Sequence, residues 1–272
     1  MRQGYIGGLV LALAVAGTLA GCAVSTQEEV TMGQQYAGEV AKQMPLITDP
    51  PIIAYLTELG GQITKVADDR NLQWSFHLVD SKEVNAFAIP GGFIYVNRGL
   101  VERARNMSEL AGVLGHEIGH VTQRHSVKQM QKARGAGIGV VLGCTLLRAC
   151  NSDVAQGTIN IASSAVFAKF SRTDEAEADR EGVKYVIRAG IDPNGIPEMF
   201  DILLEERKQR PDAVEALVAS HPLEEDRVKQ ARALIATYDP AVLRGLAKDD
   251  ERFQAFKRRV LALPPSPTPK KQ

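Results

Sequence analysis

The stretch Ser108-Glu109-Leu110-Ala111-Gly112-Val113-Leu114-Gly115-His116-Glu117-Ile118-Gly119-His120-Val121 decides how this chain is read. Leu110, Val113, Leu114, Glu117, Ile118 and Val121 recur at three- and four-residue steps, the period of a helix with one face turned inward. Ser108 stands where an N-cap would start that helix, and the helical pattern runs over about 108–132. His116 and His120 are four residues apart, so on a helix both imidazoles lean over one face and can reach one metal ion. Glu117, one step round, can serve as a base beside that ion. With five His and 18 Glu in 272 residues, chance alone would give about 0.006 matches to H-E-x-x-H.

Two histidines leave such a site incomplete, because catalytic zinc ordinarily has three protein ligands and an open position. The best source of a third lies downstream, in Ser171-Arg172-Thr173-Asp174-Glu175-Ala176-Glu177-Ala178-Asp179. Ser171 predicts an N-cap, and Glu175 and Asp179 share one helix face. One of them can ligate zinc while the other accepts a hydrogen bond from a ligating imidazole. An acidic run also suits a helix N-terminus for dipole reasons alone, but the upstream motif favours the metal reading. Of the other histidines, His125 follows Arg124 at the end of the motif helix and is expected at the surface. His77 falls on the polar side of a predicted strand and is given no role, and His221 sits in a Ser220-His221-Pro222 turn.

Outward from the motif, the chain predicts an α+β fold, mostly helical, with a small antiparallel sheet before the zinc helix. Ile52, Leu56, Leu59 and Ile63 repeat at helical spacing behind Pro50-Pro51. Trp74, Phe76 and Leu78 alternate with Ser75 and His77 as in a half-buried strand. Residues 85–89 and 93–96 flank Pro90-Gly91-Gly92, which reads as a hairpin. Helices are expected near 153–169, 172–189, 195–208, 213–219 and 223–237. Gly135 to Leu147 is glycine-rich and apolar but too short to span a bilayer; it reads as a packed loop, with a membrane-touching role as the alternative. Cys144 and Cys150 are close enough in sequence to pair in an oxidising compartment, without spacing alone deciding it. Balanced charge, with 32 basic and 32 acidic residues, offers no footprint for nucleic acid. A basic start, an apolar run to Ala20 and small residues predict a leader over 1–21. Leu19-Ala20-Gly21-Cys22 resembles a lipobox, so Cys22 is the expected lipidation site and membrane anchor. The predicted organisation is leader 1–21, polar tether 22–31, a metallopeptidase domain over 32–240, and a C-terminal helix with a Pro-rich disordered tail over 241–272.

His116-Glu117-x-x-His120 with a downstream Glu175-x-x-x-Asp179 resembles the gluzincin family of the Ste24-type CAAX prenyl endopeptidases. That family also holds HtpX-like membrane peptidases and bacterial outer-membrane lipoprotein metallopeptidases. The Asn85-Ala86-Phe87-Ala88 segment, Gly91-Gly92, Tyr95-Val96, and Ser220-His221-Pro222 with Arg227 are similar to further elements of the family. The resemblance covers about Met32 to Arg227, and the chain looks most like the short lipoprotein members. It implies one zinc per chain on His116, His120 and Glu175, with Glu117 as base and Asp179 orienting a histidine. It implies a zinc endopeptidase of the outer membrane facing the periplasm, acting on unfolded or misassembled envelope polypeptides as quality control. Residues 85–88 would pair with extended substrate. His221 would be either a donor to the developing oxyanion or a fourth ligand that keeps the enzyme latent, and a packing role stays open. Arg227 would pair with a carboxylate near the site or sit solvated. The alternative reading is a latent or non-catalytic zinc-binding chaperone or assembly factor. Envelope assembly machinery or other envelope proteases are the further partners considered.

Overall fold

The computed structural model describes residues 24–132 and 169–267. The expectations placed on residues 1–22, on 135–147, on Cys144 and Cys150, and on nearly all of 153–169 lie outside these described residues.

Helix α1 (Thr26–Gln43) starts in a capping box, with the Ser25 side chain accepting from the Glu28 amide. The stretch expected to be a polar tether is therefore helical from Thr26 onward. Strand β1 (Leu46–Ile47) follows, then α2 (Pro50–Ala67), where Asp49 caps the Ile52 amide and proline occupies the first turn. Ile52, Leu56, Leu59 and Ile63 are buried, as their spacing predicts.

Strands β2 (Ser75–Val79), β3 (Ala86–Ile89) and β4 (Phe93–Asn97) complete a sheet of order β1-β2-β4-β3. β3 and β4 form the expected antiparallel hairpin, with Phe87 opposite Tyr95. Gly91 and Gly92 at its turn have φ of +86° and +99°, a region open to glycine, and a Cβ on Gly91 would meet the Val30 Cα of α1 at 2.9 Å. The sheet is mixed rather than wholly antiparallel. β4 returns beside β2, so Ser75 to Val79 pair in parallel with Phe93 to Asn97. The short 80–85 link carries the chain past that position first, leaving β3 as an edge.

After α3 (Arg98–Arg103) comes the motif helix α4 (Met107–Thr122). Its N-cap is Asn106, whose side chain accepts from the Glu109 amide. Ser108, the expected cap, is buried inside the first turn and donates its hydroxyl to Asn106 Oδ1 at 2.8 Å. The helix also stops earlier than its pattern suggests. Gln123 and Arg124 form a turn, Arg124 adopts φ +58°, and a separate helical segment, α5, runs over 125–132.

The second site-bearing helix, α6 (Arg172–Arg188), opens on Ser171 in a capping box with Asp174. It crosses α4 closely because both helices are small at the contact. A Cβ on Gly119 would lie 2.9 Å from the Ala178 carbonyl oxygen, and one on Gly182 would lie 3.1 Å from the His116 nitrogen. Helices α7 (Gly195–Gln209), α8 (Glu215–Ser220) and α9 (Glu225–Ile235) enclose the same core. A one-turn α10 (Pro240–Leu243) leads to α11 (Glu251–Leu261). Phe253, Phe256 and Val260 of α11 are buried, and Tyr55 of α2 stacks on Phe256 with ring centroids 4.5 Å apart. The start of the Pro-rich tail is held as well, since Arg98 donates to the carbonyls of Leu263 and Pro264 and Ser266 donates to Asp80. Among the described residues no helix is long and apolar enough to cross a membrane.

Candidate metal centre

α4 and α6 bring their polar faces together at the glycine crossing. His116, His120, Glu175 and His221 each offer a ligand atom there, all four within 4.8 Å of one another and all four residues buried. His116 Nε2 lies 3.0 Å from His120 Nε2 and 3.4 Å from His221 Nδ1. Glu175 Oε1 lies 2.9 Å from His221 Nδ1 and 3.4 Å from His120 Nε2. Imidazole nitrogens aimed at each other cannot all carry protons, and a divalent cation satisfies their lone pairs together. Two imidazoles from one helix plus a carboxylate are ligands suited to zinc. Burial holds the His120 proton affinity well below the usual range, which keeps it in the neutral form a metal needs. Burial also pushes the Glu175 carboxyl up, but His221, His120 and His116 outweigh it and keep Glu175 ionised well below the ordinary carboxylate range.

Outside this cluster the expected support is in place. His116 Nδ1 lies 2.8 Å from Asp179 Oδ1, so a proton on Nδ1 is donated to the carboxylate and leaves Nε2 free to ligate. The two expectations for Arg227 are also resolved. It is buried, grips Asp179 through Nε and Nη2 at 2.8 and 2.7 Å, and approaches Glu175 Oε2 with Nη1 at 2.5 Å. The same Nη1 donates to the Pro222 carbonyl at 3.0 Å, and the guanidinium stacks 4.6 Å from the Phe200 ring centre. Burial opposes the charges of Arg227 and Asp179, yet their pairing raises the one and lowers the other.

Glu117 is buried beside the cluster, and its Oε2 has no hydrogen-bond partner among the described residues. Its Oε1 lies 3.8 Å from His221 Nε2. His221 thus lies between Glu117 and the other members of the cluster. Burial disfavours its charge, but Glu117 and Glu175 together hold its proton affinity above the usual value. The Phe170 amide donates to the Ser220 carbonyl at 2.9 Å, tying the lead-in of α6 to the turn that carries His221. The Phe170 ring packs on His120 with centroids 4.0 Å apart.

The remaining calls fall differently. β3 is the sheet edge; Ala86 is buried, Phe87 stacks on Tyr95 at 4.9 Å, Ala88 is half-buried, and the buried Asn85 Oδ1 lacks a hydrogen-bond partner among the described residues. His77 stays outside the cluster, stacked on Tyr95 at 4.8 Å. His125 contradicts the surface expectation. It is fully buried against His120, because the turn at Arg124 folds the chain back beneath the motif. Spacing singles out neither His125, whose contact depends on where α4 ends, nor Phe170, whose contact depends on its tie to the turn that carries His221.

A profile of peptidase family M48 matches residues 54–235, a span that contains every member of the cluster. The chain belongs to peptidase family M48. It is 32% identical over 253 residues to the beta-barrel assembly-enhancing protease of Escherichia coli, covering 91% of this chain and 51% of that protein. The putative beta-barrel assembly-enhancing protease of Vibrio cholerae is 32% identical over 233 residues, covering 84% and 48%. The metalloprotease YcaL of Escherichia coli is 33% identical over 165 residues, covering 58% and 60%. The chain thus spans about half the length of the beta-barrel assembly-enhancing relatives. M48 membership bears out the resemblance read from the motifs, and the buried His-His-Glu-His cluster is suited to binding a zinc ion.

Proposed function

We propose that this chain is a zinc-dependent endopeptidase of the bacterial envelope, with His116, His120 and Glu175 holding the metal. The observation that carries this reading is the convergence of those three ligands on one point with an unbonded Glu117 oxygen beside it. When bound, zinc polarises a scissile carbonyl and makes a neighbouring water acidic enough to attack near neutral pH. Glu117 then takes the proton from the attacking water and delivers it to the leaving amine. Asp179, clamped by Arg227, fixes the proton of His116 on Nδ1 and so aims Nε2 at the metal. The edge strand β3, from Asn85 to Ala88, accepts substrate as an added strand, a mode that reads backbone more than sequence.

His221 closes the site in this conformation. Its Nδ1 lies 3.4 Å from His116 Nε2 and 2.9 Å from Glu175 Oε1, near enough to serve as a fourth ligand. This supports a latent resting state, released when the turn at 220–224 moves away. An apolar pocket beside the cluster is lined by Met199, Phe200, Leu203, Leu217 and Leu223, with His221 on its wall. The names of the bacterial relatives support a part in beta-barrel assembly, and a Cys22 lipid anchor would place the domain at the outer membrane facing the periplasm, where misassembled envelope polypeptides are the substrates we propose.

The test is cleavage of casein by the zinc-loaded chain, with Glu117→Gln as matched control. Cleavage by the parent or by His221→Ala, absent with Glu117→Gln and abolished by a chelator, supports the enzyme, and cleavage by His221→Ala alone supports the latent state. One zinc per chain with no cleavage by the parent or by His221→Ala supports the chaperone reading instead.

A further inference from the structure

His125 takes no part in the mechanism above, yet it is fully buried against a proposed zinc ligand. Its Nδ1 lies 2.9 Å from His120 Nδ1. Its Nε2 lies 3.2 Å from Glu177 Oε2 and 3.8 Å from Asp174 Oδ1. His120 meanwhile faces the cluster with its other nitrogen, Nε2, at 3.0 Å from His116 Nε2.

These contacts admit one consistent placement of protons once His120 ligates a metal. A ligating Nε2 carries a lone pair, so the His120 proton sits on Nδ1. That N–H has His125 Nδ1 before it as acceptor. The His125 proton must then sit on Nε2, where Glu177 accepts it. We infer that His125 is a positioning residue for the metal: it accepts the His120 Nδ1–H and links the ligand to the Glu177 carboxylate. The inference rests on the zinc-site reading above. His116 has a carboxylate, Asp179, in the corresponding place. His120 reaches its carboxylate through a second imidazole.

The backbone is shaped for this contact. In an uninterrupted helix, residues five apart point about 140° away from each other, so His125 could not meet His120. The break after Thr122 and the left-handed Arg124, at φ +58°, bring it back. Arg124 is an unusual residue for that conformation. It is held there by Glu29 of α1, which accepts from Arg124 Nε at 2.8 Å and from Arg70 at 2.7 Å, while Arg124 Nη2 donates to the Val24 carbonyl. Phe170 packs near both rings, with centroids 4.0 Å from His120 and 6.2 Å from His125.

Three substitutions in the full chain separate a hydrogen-bonding role from simple packing. Asn places an acceptor oxygen near the Nδ1 position, Gln places its amide near Nε2, and Leu fills the space with neither. The readouts are zinc affinity by competition with a chromogenic chelator and the visible absorption of the cobalt-loaded chain. His125→Leu is expected to weaken zinc about 10- to 100-fold and His125→Gln by a similar factor, whereas His125→Asn stays within about threefold of the parent. The cobalt spectrum should shift in the Leu and Gln chains and not in the Asn chain. Equal zinc affinity in His125→Leu and parent overturns the inference. So does an equal loss in Asn and Gln, which is also the deciding comparison if the Leu chain fails to fold. A parent that binds no zinc overturns the zinc-site reading and this inference together, whereas a zinc-binding parent isolates the failure to His125.

Discussion

Replacing Arg227 by Met keeps the length of the stem and removes the charge. In the metal-free protein one guanidinium pairs with two buried carboxylates, Asp179 and Glu175, through contacts of 2.8, 2.7 and 2.5 Å. Removing one partner of a buried pair costs about 3–5 kcal/mol, because the charge left behind has neither water nor partner. Asp179 would keep only His116, and Glu175 only the imidazoles around it, and with the bond to the Pro222 carbonyl also lost Arg227→Met falls near the upper end, about 5 kcal/mol. That is a third or more of the roughly 5–15 kcal/mol that holds an ordinary domain together. Urea denaturation of the chelator-treated chain, followed by circular dichroism at pH 7, gives the value. The pairing also predicts non-additivity. In an Asp179→Leu background the same Arg227→Met change should cost about 2 kcal/mol less, since one of the two carboxylates that Arg227 pairs with is already gone. A loss under about 1 kcal/mol in the parent background, or strict additivity in the cycle, would refute the reasoning.

Gly119→Ala should destabilise the chain by about 1–3 kcal/mol and weaken zinc binding, because its Cβ would lie 2.9 Å from the Ala178 carbonyl oxygen and push apart the two helices that carry the ligands; unchanged urea midpoint and zinc affinity would count against this. Phe253→Ala should cost about 3–5 kcal/mol, since Phe253 is fully buried; a neutral result in the same assay would show α11 to be an appendage rather than part of the core. Asp179 gives the metal-free protein an acid limit. Burial opposes its ionisation, but Arg227 and His116 hold its carboxyl below the ordinary 3.8, so the unfolded chain takes up this proton first. Its stabilisation is therefore complete above about pH 4 and drains away as pH falls through the lower folded value; in Asp179→Asn that part of the acid-induced loss should vanish from the pH–stability curve.

The metal centre was legible in the sequence wherever local spacing controls geometry. His116 and His120 needed only a helix, and Glu175 with Asp179 needed only the Ser171 cap to set their face. The apolar steps of Ile52, Leu56, Leu59 and Ile63 placed α2, and Gly91-Gly92 placed the hairpin. What escaped depends on partners distant in the chain. The end of α4 is set by Glu29, some 95 residues before Arg124, so periodicity ran the helix through to 132 and sent His125 to the surface. The cap of α4 moved to Asn106 because Asn106 Oδ1 reaches both the Glu109 amide and the Ser108 hydroxyl, a choice that Ser108 alone does not reveal. Arg227 read equally well as solvated until α9 was seen to press it on Phe200 and Asp179. The parallel β2–β4 pairing likewise follows from packing, since the hairpin fixes only how β3 and β4 run relative to each other. The glycines of α4 lowered its helix propensity without announcing their use, which is the close approach of α6.

The central claim is that Glu117 works as a base on a metal held by His116, His120 and Glu175, with His221 withholding that activity. The most direct measurement compares zinc-loaded His221→Ala with His221→Ala/Glu117→Gln on casein, each confirmed to hold one zinc per chain. Cleavage by the first and a loss of about 10²- to 10⁴-fold in the second are expected. Equal cleavage by both, or none by either while zinc stays bound, would contradict that claim.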